Sequence, residues 1–310
     1  MAKKATFGVS HVEVTQDRDG QRLDNFLMAR LKGVPRSVIY RIIRTGQVRI
    51  NGGRSKPASR LEYGDIVRVP PASTRRAGAA DIPPRVLQLL SQSIIFEDSN
   101  IMVINKPAGM AVHGGSGLSW GVIDVVRQMR PDHSVDLVHR LDRETSGCLL
   151  IALDGDALRN LNEQVKNNEL DKRYLCLMDG QLAEAVVEVD APIGKSDRAG
   201  ERYMRVDHEG KSAQTTFRLL QECGPCNFVE AQLHTGRTHQ IRVHAAHLGA
   251  PLVGDRKYAT AARQKHWKEK AIKRLFLHAH QLTFKTLNGD QQMASSQIPA
   301  DLKNFMDTLL

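Results

Sequence analysis

The chain has 310 residues, 41% hydrophobic and 25% charged, with a formal net charge of +10; a chain of this length buries a sizeable core and is read as one large domain plus a small one. No apolar run approaches the roughly eighteen residues of a membrane span, the longest obvious one being Cys148 to Leu153, and four cysteines at this length supply no disulfide framework. Transmembrane and disulfide-stapled classes are thereby excluded, and because Met1 to Gly8 carries Lys3 and Lys4 with no apolar stretch behind them, a cytoplasmic protein without membrane contact is expected.

The charge is not spread evenly. Residues 1 to 80 hold sixteen Lys and Arg against six Asp and Glu, whereas residues 81 to 310 hold twenty-eight of each. All the net charge therefore sits in the first quarter, which is the footprint of a module that binds a polyanion, nucleic-acid phosphate being the commonest. A merely solubilising arm fits less well, because the same segment reads as folded. Leu23, Phe26, Leu27 and Leu31 form a helical stripe over residues 22–31, and Val38, Ile39, Ile42 and Ile43 form another over 37–45. Gly33 and Pro35 belong to the loop between them. Ser37 is the expected N-cap and Gly46 the expected C-cap of the second helix, which carries Arg36, Arg41 and Arg44 on its outward side. Val48 to Ile50, the Asn51-Gly52 turn and Ile66 to Val69 predict a small strand pair, so the module reads helix, helix, hairpin.

Residues 70–84, PPASTRRAGAADIPP, place four of the twelve prolines in one aperiodic stretch, which marks a linker. The expected organisation is a basic, polyanion-binding module over 1–70, a linker over 71–84 and a large domain over 85–310. In the large domain, strands are predicted at 94–96, 101–104, 148–153, 173–178, 213–219, 228–233 and 275–284, and helices at 122–128, 156–167, 240–248 and 301–310. Without a repeated strand-helix-strand pattern, the fold class is α+β with a mixed, mostly antiparallel sheet.

Two polar segments stand out against apolar surroundings, Leu137 to Gly147 and Thr235 to His244. The first places Asp142 in a loop just before a buried strand, where it would face a cleft or simply cap a turn. The second turns at Thr235-Gly236 and enters a helix whose first turn holds Arg242. A partly buried arginine needs an anion, and Asp142 would be kept ionised and oriented by it; a structural ion pair is the other reading.

These residues resemble a known family. HRLDRETSG at 139–147, NKPAGMAVHGG at 105–115, KRYLCLM at 172–178 and GRTHQIRVHAAHLGAPLVGD at 236–255 with RLFLHA at 274–279 are similar to the motifs of the ribosomal large-subunit pseudouridine synthases, in the family's order. Residues 1–70 resemble the RNA-binding module of ribosomal small-subunit protein four, and LKGVPRSVIYRIIR and VHGGSGLSWGV are most similar to the type C branch. The resemblance implies the pseudouridine synthase fold. It further implies isomerisation of specific uridines in large-subunit (23S) ribosomal RNA, naked or in an assembling particle, without any cofactor; a monomer is the default expectation. By the same resemblance Asp142 is the essential catalytic residue, Tyr174 the residue of the following strand and Arg242 the arginine of the last helix. Asp142 would act as nucleophile or as base. Tyr174 would stack on the uracil with its hydroxyl near carbon 5, or else be a core aromatic. Arg140 would occupy the space of the flipped nucleotide, and Ile241 and Leu277 would wall the base.

Other signals point elsewhere. Cys223-Gly-Pro-Cys226 spells a redox dithiol, yet a strand rather than a helix follows it, so a hairpin turn is expected. Cys148 and Cys176 sit singly in predicted strands, and His239, His244 and His247 lack the glutamate of a zinc helix, so no metal site is expected and the histidines, His239 above all, read as polar neighbours of RNA. Arg263 to Arg274 is a second basic patch, either a solvated face or part of an RNA-contacting rim. A non-enzymatic RNA-binding or ribosome-assembly protein explains the charge equally well; only Asp142, Tyr174 and Arg242 separate the two functions.

Overall fold

The apolar stripes of the first module fold as their spacing requires. In the computed structural model, which describes residues 9–31, 34, 36–71, 82–114, 119–198, 201–270 and 272–310 (without the side chains of 36, 37, 197, 198, 201 and 202), the chain divides into two units, Met1–Asp81 and Ile82–Leu310. The first unit runs β1 (Ser10–Glu13), α1 (Leu23–Arg30), α2 (Arg36–Arg44), β2 (Arg49–Ile50), β3 (Gly53–Arg54) and β4 (Ile66–Val69). Leu23, Phe26 and Leu27 from α1 join Ile39, Ile42 and Ile43 from α2 in one buried cluster with Val48, Leu61 and Val67. The expected strand pair is a four-stranded sheet, ordered β1-β4-β2-β3. Gly46 ends α2 at φ +72, a left-handed position that favours glycine, and its N–H bonds the Ile43 carbonyl at 3.0 Å. Ser37 is not the N-cap: α2 already begins at Arg36, which places Ser37 in the first turn. The residues Gly33, Pro35 and Gly115, the start at Met1 to Gly8 and most of the linker, 72–81, lie outside the described residues.

The second unit runs α3 (Pro84–Ser91), β5 (Ile94–Glu97), β6 (Ile101–Lys106), α4 (Val122–Met129), β7 (Asp136–Leu137), β8 (Ser146–Ala152), α5 (Gly155–Lys166), β9 (Asp171–Met178), β10 (Val186–Asp190), β11 (Ile193–Arg198), β12 (Glu201–Val206), β13 (Gln214–Cys223), β14 (Cys226–Leu233), α6 (Gln240–His247), α7 (Ala261–Glu269), β15 (Leu277–Lys285), β16 (Gln291–Ser295) and α8 (Ala300–Asp307). A ten-stranded sheet has the order β10-β13-β14-β9-β15-β8-β6-β5, with β16 on β15 and β7 on β8. Among the described residues β15 and β8 run parallel and the other pairs antiparallel, as a mixed, mostly antiparallel sheet. Every residue of β8 is buried. Gly147 lets β8 and β15 meet: at φ +112 it pairs with Ala279, whose carbonyl a Cβ would strike. Leu150, Ile101 and Val103 form a core with Ala157 and Leu161 of α5, while Leu177 and Phe276 form another with Trp267 of α7 and Leu302 of α8. Among the described residues no helix is long and apolar enough to cross a membrane.

Candidate active site

Asp142 sits where the chain leaves β7 and turns into β8. The loop is tied at several points: the Leu150 N–H donates to His139 Nε2 at 3.1 Å, and the Thr145 N–H closes a turn on the Asp142 carbonyl at 3.1 Å. Beneath it lies the Asn105 to Gly114 segment. The Gly109 N–H donates to the Arg143 carbonyl and Arg143 Nε to the Gly109 carbonyl, at 2.8 and 2.9 Å. Lys106 is fully buried, and its Nζ donates to the carbonyls of Pro107, Met110 and Arg143 at 2.9, 2.9 and 3.2 Å. Burial pulls this ammonium down to about 7, against the opposing charges of Asp142 and Glu144.

The second polar segment meets the first through Arg242. Beyond β14, the buried Gln240 side chain fastens the turn, accepting from Thr235 Oγ1 at 2.7 Å and the Arg237 N–H at 2.9 Å while donating to the Gln214 carbonyl at 2.9 Å. Arg242, one residue into the helix from Ile241, donates from one terminal nitrogen to Asp142 Oδ2 at 3.1 Å. Its other nitrogens form a bidentate pair with Asp255 at 2.8 and 2.9 Å. Asp255 is buried and also accepts the N–H groups of Lys257 and Tyr258 at 2.8 and 3.0 Å. Arg242 is thus held from behind by one carboxylate and presents its remaining donor to another, which keeps the guanidinium charged and raises its pKa despite burial.

His239 caps α6 in the left-handed region, φ +58, a position of backbone strain for a residue with a side chain. Its Nδ1 lies 2.7 Å from the Tyr258 hydroxyl and its Nε2 3.7 Å from Asp142 Oδ2. Burial lowers its pKa, with Asp142 opposing and Arg242 adding to the fall.

Strand β9 adds Lys172 and Tyr174, two residues apart and so on one face. These residues, Asp142 and the apolar side chains of Leu141, Leu170, Leu233, Ile241 and Leu277 line a cavity of about 350 Å³, within the usual range of ligand pockets, about 300–1,000 Å³. Tyr174 is 6% exposed, and burial followed by the Asp142 charge pushes its phenol pKa up. Arg140 is exposed at the rim, shared with a second cavity of about 340 Å³ that Val112 and His113 line on the other side of Asp142.

The structure therefore brings together Asp142, Tyr174, Arg242, Arg140, His239, Ile241 and Leu277. Arg41 and Arg44 belong to the first unit, where they are exposed and line a concavity with Tyr40 and Lys56; the Arg36 side chain lies outside the described residues. One expectation is corrected: His244 does not face outward but is fully buried, with Nδ1 2.9 Å from Thr215 Oγ1 and Nε2 2.9 Å from the Ala191 carbonyl. The dithiol sequence is a hairpin turn, Cys223 paired opposite Cys226, and burial raises both thiol pKa values, that of Cys226 to about 12. In the 263–274 patch, Trp267 is buried against the Asp179 carboxylate and Arg274 is paired with Asp301, while Lys265, Lys268, Lys270 and Lys273 are exposed. Among the described residues no group of three or more His, Cys, Asp or Glu is placed to hold a metal ion.

Sequence reasoning missed Asp255, Tyr258, Lys106 and Lys172. Period-two spacing from Tyr174 would have found Lys172; nothing local marks Asp255, because a Gly-Asp pair reads as an exposed turn.

The family model for RNA pseudouridylate synthase matches residues 100–247, and that for the S4 domain matches residues 21–67. The chain is 42% identical over 306 residues to "Ribosomal large subunit pseudouridine synthase C" of Haemophilus influenzae, covering 97% of this chain and 95% of that protein. To the protein of the same name in Escherichia coli K12 it is 44% identical over 305 residues, covering 96% and 95%. Among solved structures, human RNA Pseudouridylate Synthase Domain Containing 4 superposes with a TM-score of 0.61 at 26% identity, over 73% of this chain and 95% of that one.

Proposed function

This chain belongs to the RNA pseudouridylate synthase family and is an isomerase that converts uridine to pseudouridine in RNA; from that premise we propose that its substrate is large-subunit (23S) ribosomal RNA and that Asp142 carries the reaction. The single observation behind this reading is the placement of Asp142 at the edge of the cavity walled by Tyr174, Ile241 and Leu277, with its carboxylate aimed by Arg242. A protein that only bound RNA would have no use for a carboxylate turned toward a polyanion. The cavity instead admits one uracil, and a stacked base must leave its helix to enter it. Arg140 at the rim takes the place of the flipped nucleotide, and Ile241 and Leu277 hold the base between apolar surfaces, with the Tyr174 ring stacked on it.

Asp142 starts the reaction as a nucleophile or by removing a ribose proton, and on either route Arg242 holds its carboxylate in place through the 3.1 Å hydrogen bond. The C1′–N1 bond opens, the base turns within the cavity and carbon 5 closes on C1′, all without redox chemistry. Burial and then the Asp142 charge push the Tyr174 phenol pKa up, and the ring stacks on the uracil with its hydroxyl near carbon 5. The S4 module, residues 1–70, supplies salt-sensitive affinity through Arg36, Arg41 and Arg44, the linker spans 71–84, and residues 85–310 hold the chemistry. We assign the protein to the cytoplasm, as a monomer that meets the RNA naked or in a pre-ribosomal particle.

Pseudouridines in total RNA from cells with the gene, without it, and rescued by Asp142→Asn test the assignment. Sites in large-subunit ribosomal RNA that vanish on deletion and return only with the unmutated gene are expected; return with Asp142→Asn would overturn it. In vitro, Asp142→Asn loses turnover while RNA affinity stays within about threefold, since the amide keeps the shape and loses the charge.

A further inference from the structure

Several cations around the cavity are already engaged. Arg242 holds Asp255 and Asp142, Arg237 donates Nε–H to the Ser212 carbonyl at 2.8 Å, and Lys106 is bonded to three carbonyls. Lys172 is different. It leaves the same face of β9 as Tyr174, lines the same cavity and is only 9% exposed, yet its Nζ makes no hydrogen bond or ion pair with any described residue. Its acidic neighbour on the strand, Asp171, is turned to other partners, accepting from Arg173 Nε at 2.8 Å and Gln232 Nε2 at 2.9 Å. A buried ammonium without a partner is costly, so its position in a ligand cavity points to an anion or strong acceptor that arrives with the substrate.

We propose that Lys172 is a catalytic residue whose ammonium donates a hydrogen bond to a carbonyl oxygen of the flipped uracil and stabilises the base while it is detached from the sugar. The inference rests on the reading of Asp142 given above. When the C1′–N1 bond breaks, its electron pair stays with the base, whose negative charge spreads over N1, O2 and O4. When carbon 5 attacks C1′, an electron pair of the base forms the new bond, the carbon 5 proton leaves and N1 gains one. No electrons or heavy atoms are exchanged with solvent. The charge on O2 and O4 exists only between the two bonding events, so a fixed cation in an apolar cavity favours that state over the bound substrate. A phosphate is the poorer occupant, since the backbone of a flipped nucleotide stays at the rim, where Arg140 is exposed. Burial pulls the Lys172 pKa below its usual range, Asp171 opposing and Arg237 adding to the fall; an oxyanion at Nζ would reverse this.

Lys172→Met keeps most of the stem and removes the charge. With transcribed large-subunit ribosomal RNA at saturating protein, the single-turnover rate is expected to fall about 100-fold while the Kd for RNA stays within about threefold, and Lys172→Arg is expected to recover part of the rate. A rate within about threefold of the unmutated protein would overturn the proposal. So would a weakened Kd with an unchanged saturating rate, which would move Lys172 to a phosphate. If Lys172→Met melts abnormally, the unmutated protein carries the test on RNA with 2-thiouridine or 4-thiouridine at one target, because sulfur accepts hydrogen bonds poorly. Slowing by one of the two supports the contact, and slowing by neither overturns it. An inactive Asp142→Asn beside a fully active Lys172→Met refutes this inference alone, whereas an active Asp142→Asn refutes the parent reading as well.

Discussion

Replacing Arg242 with Met leaves the buried Asp255 carboxylate its two backbone donors, from Lys257 and Tyr258, but takes away the guanidinium that neutralises it. Stranding one member of a buried ion pair costs about 3–5 kcal/mol, a large share of the roughly 5–15 kcal/mol that keeps a domain folded. The double variant R242M/D255N leaves no stranded charge at position 255. The amide oxygen that D255N introduces would still accept both N–H groups, so the double variant should recover at least about 2 kcal/mol of the loss. Activity should not follow stability, because in both proteins Asp142 has lost the guanidinium that bonds it at 3.1 Å. Both are expected to form pseudouridine at no more than about 1% of the normal single-turnover rate, comparable to removing a preorganised donor from other active sites. Urea melts followed by tryptophan fluorescence report on the correct unit, since Trp120 and Trp267 both lie within Ile82–Leu310. A double variant that regains turnover with stability would show that Arg242 serves the fold alone, and an R242M protein with an unchanged melting midpoint would refute the buried-pair argument.

Deleting residues 1–70 should weaken RNA binding and flatten its salt dependence while short RNAs are still isomerised; filter binding across a salt series checks this, and an unchanged slope would refute the division of labour. Cys223→Ser should leave turnover within about twofold, because the thiol is buried, un-ionised and in a hairpin turn, and a lost activity in the same assay would reopen the dithiol reading. Stability should fall on acidification through His278, which burial holds neutral with a pKa of about 4 against the ordinary 6.5. Between those values the unfolded chain binds a proton that the folded chain refuses, so this group's contribution is complete above pH 6.5 and falls by about 3 kcal/mol towards pH 4. His278→Asn should flatten that stretch of a plot of unfolding free energy against pH, and an unaltered slope would count against the assignment.

Much of the architecture was legible because it follows from local rules. The stripes Leu23, Phe26, Leu27 and Ile39, Ile42, Ile43, the Asn51-Gly52 turn and the apolar run from Cys148 each specify an element whatever surrounds them. The elements that escaped are those whose apolar pattern is weak or whose partners are remote. Ser10 to Glu13 is polar enough to pass for a loop and is a strand because Ile66 to Val69 pairs with it; Ile193 to Arg198 and Glu201 to Val206 form a separate two-stranded sheet whose Ile193 is buried with Ala213 and Val243, residues remote in the chain. The cavity showed the same division. The order of motifs pointed to Asp142, Tyr174 and Arg242, but Asp255 was invisible, since its burial depends on a guanidinium thirteen residues away in the chain. His244 misled because a helical neighbour of Arg242 looked equally available to RNA, whereas its ring turns inward to Thr215.

The strand that carries Leu277 is made after every strand of the ten-stranded sheet except β16, yet it lies between β9 and β8 near the middle of that sheet. During synthesis Asp142, Tyr174 and Arg242 all leave the ribosome before the strand that joins their two halves of the sheet. Pairings this distant in sequence form late, so a nascent chain holds its whole chemical complement without a closed pocket to use it in. The basic module, by contrast, is complete once the first quarter has emerged. Birth order alone therefore separates grip from chemistry, and the pocket closes only once β15 has been made.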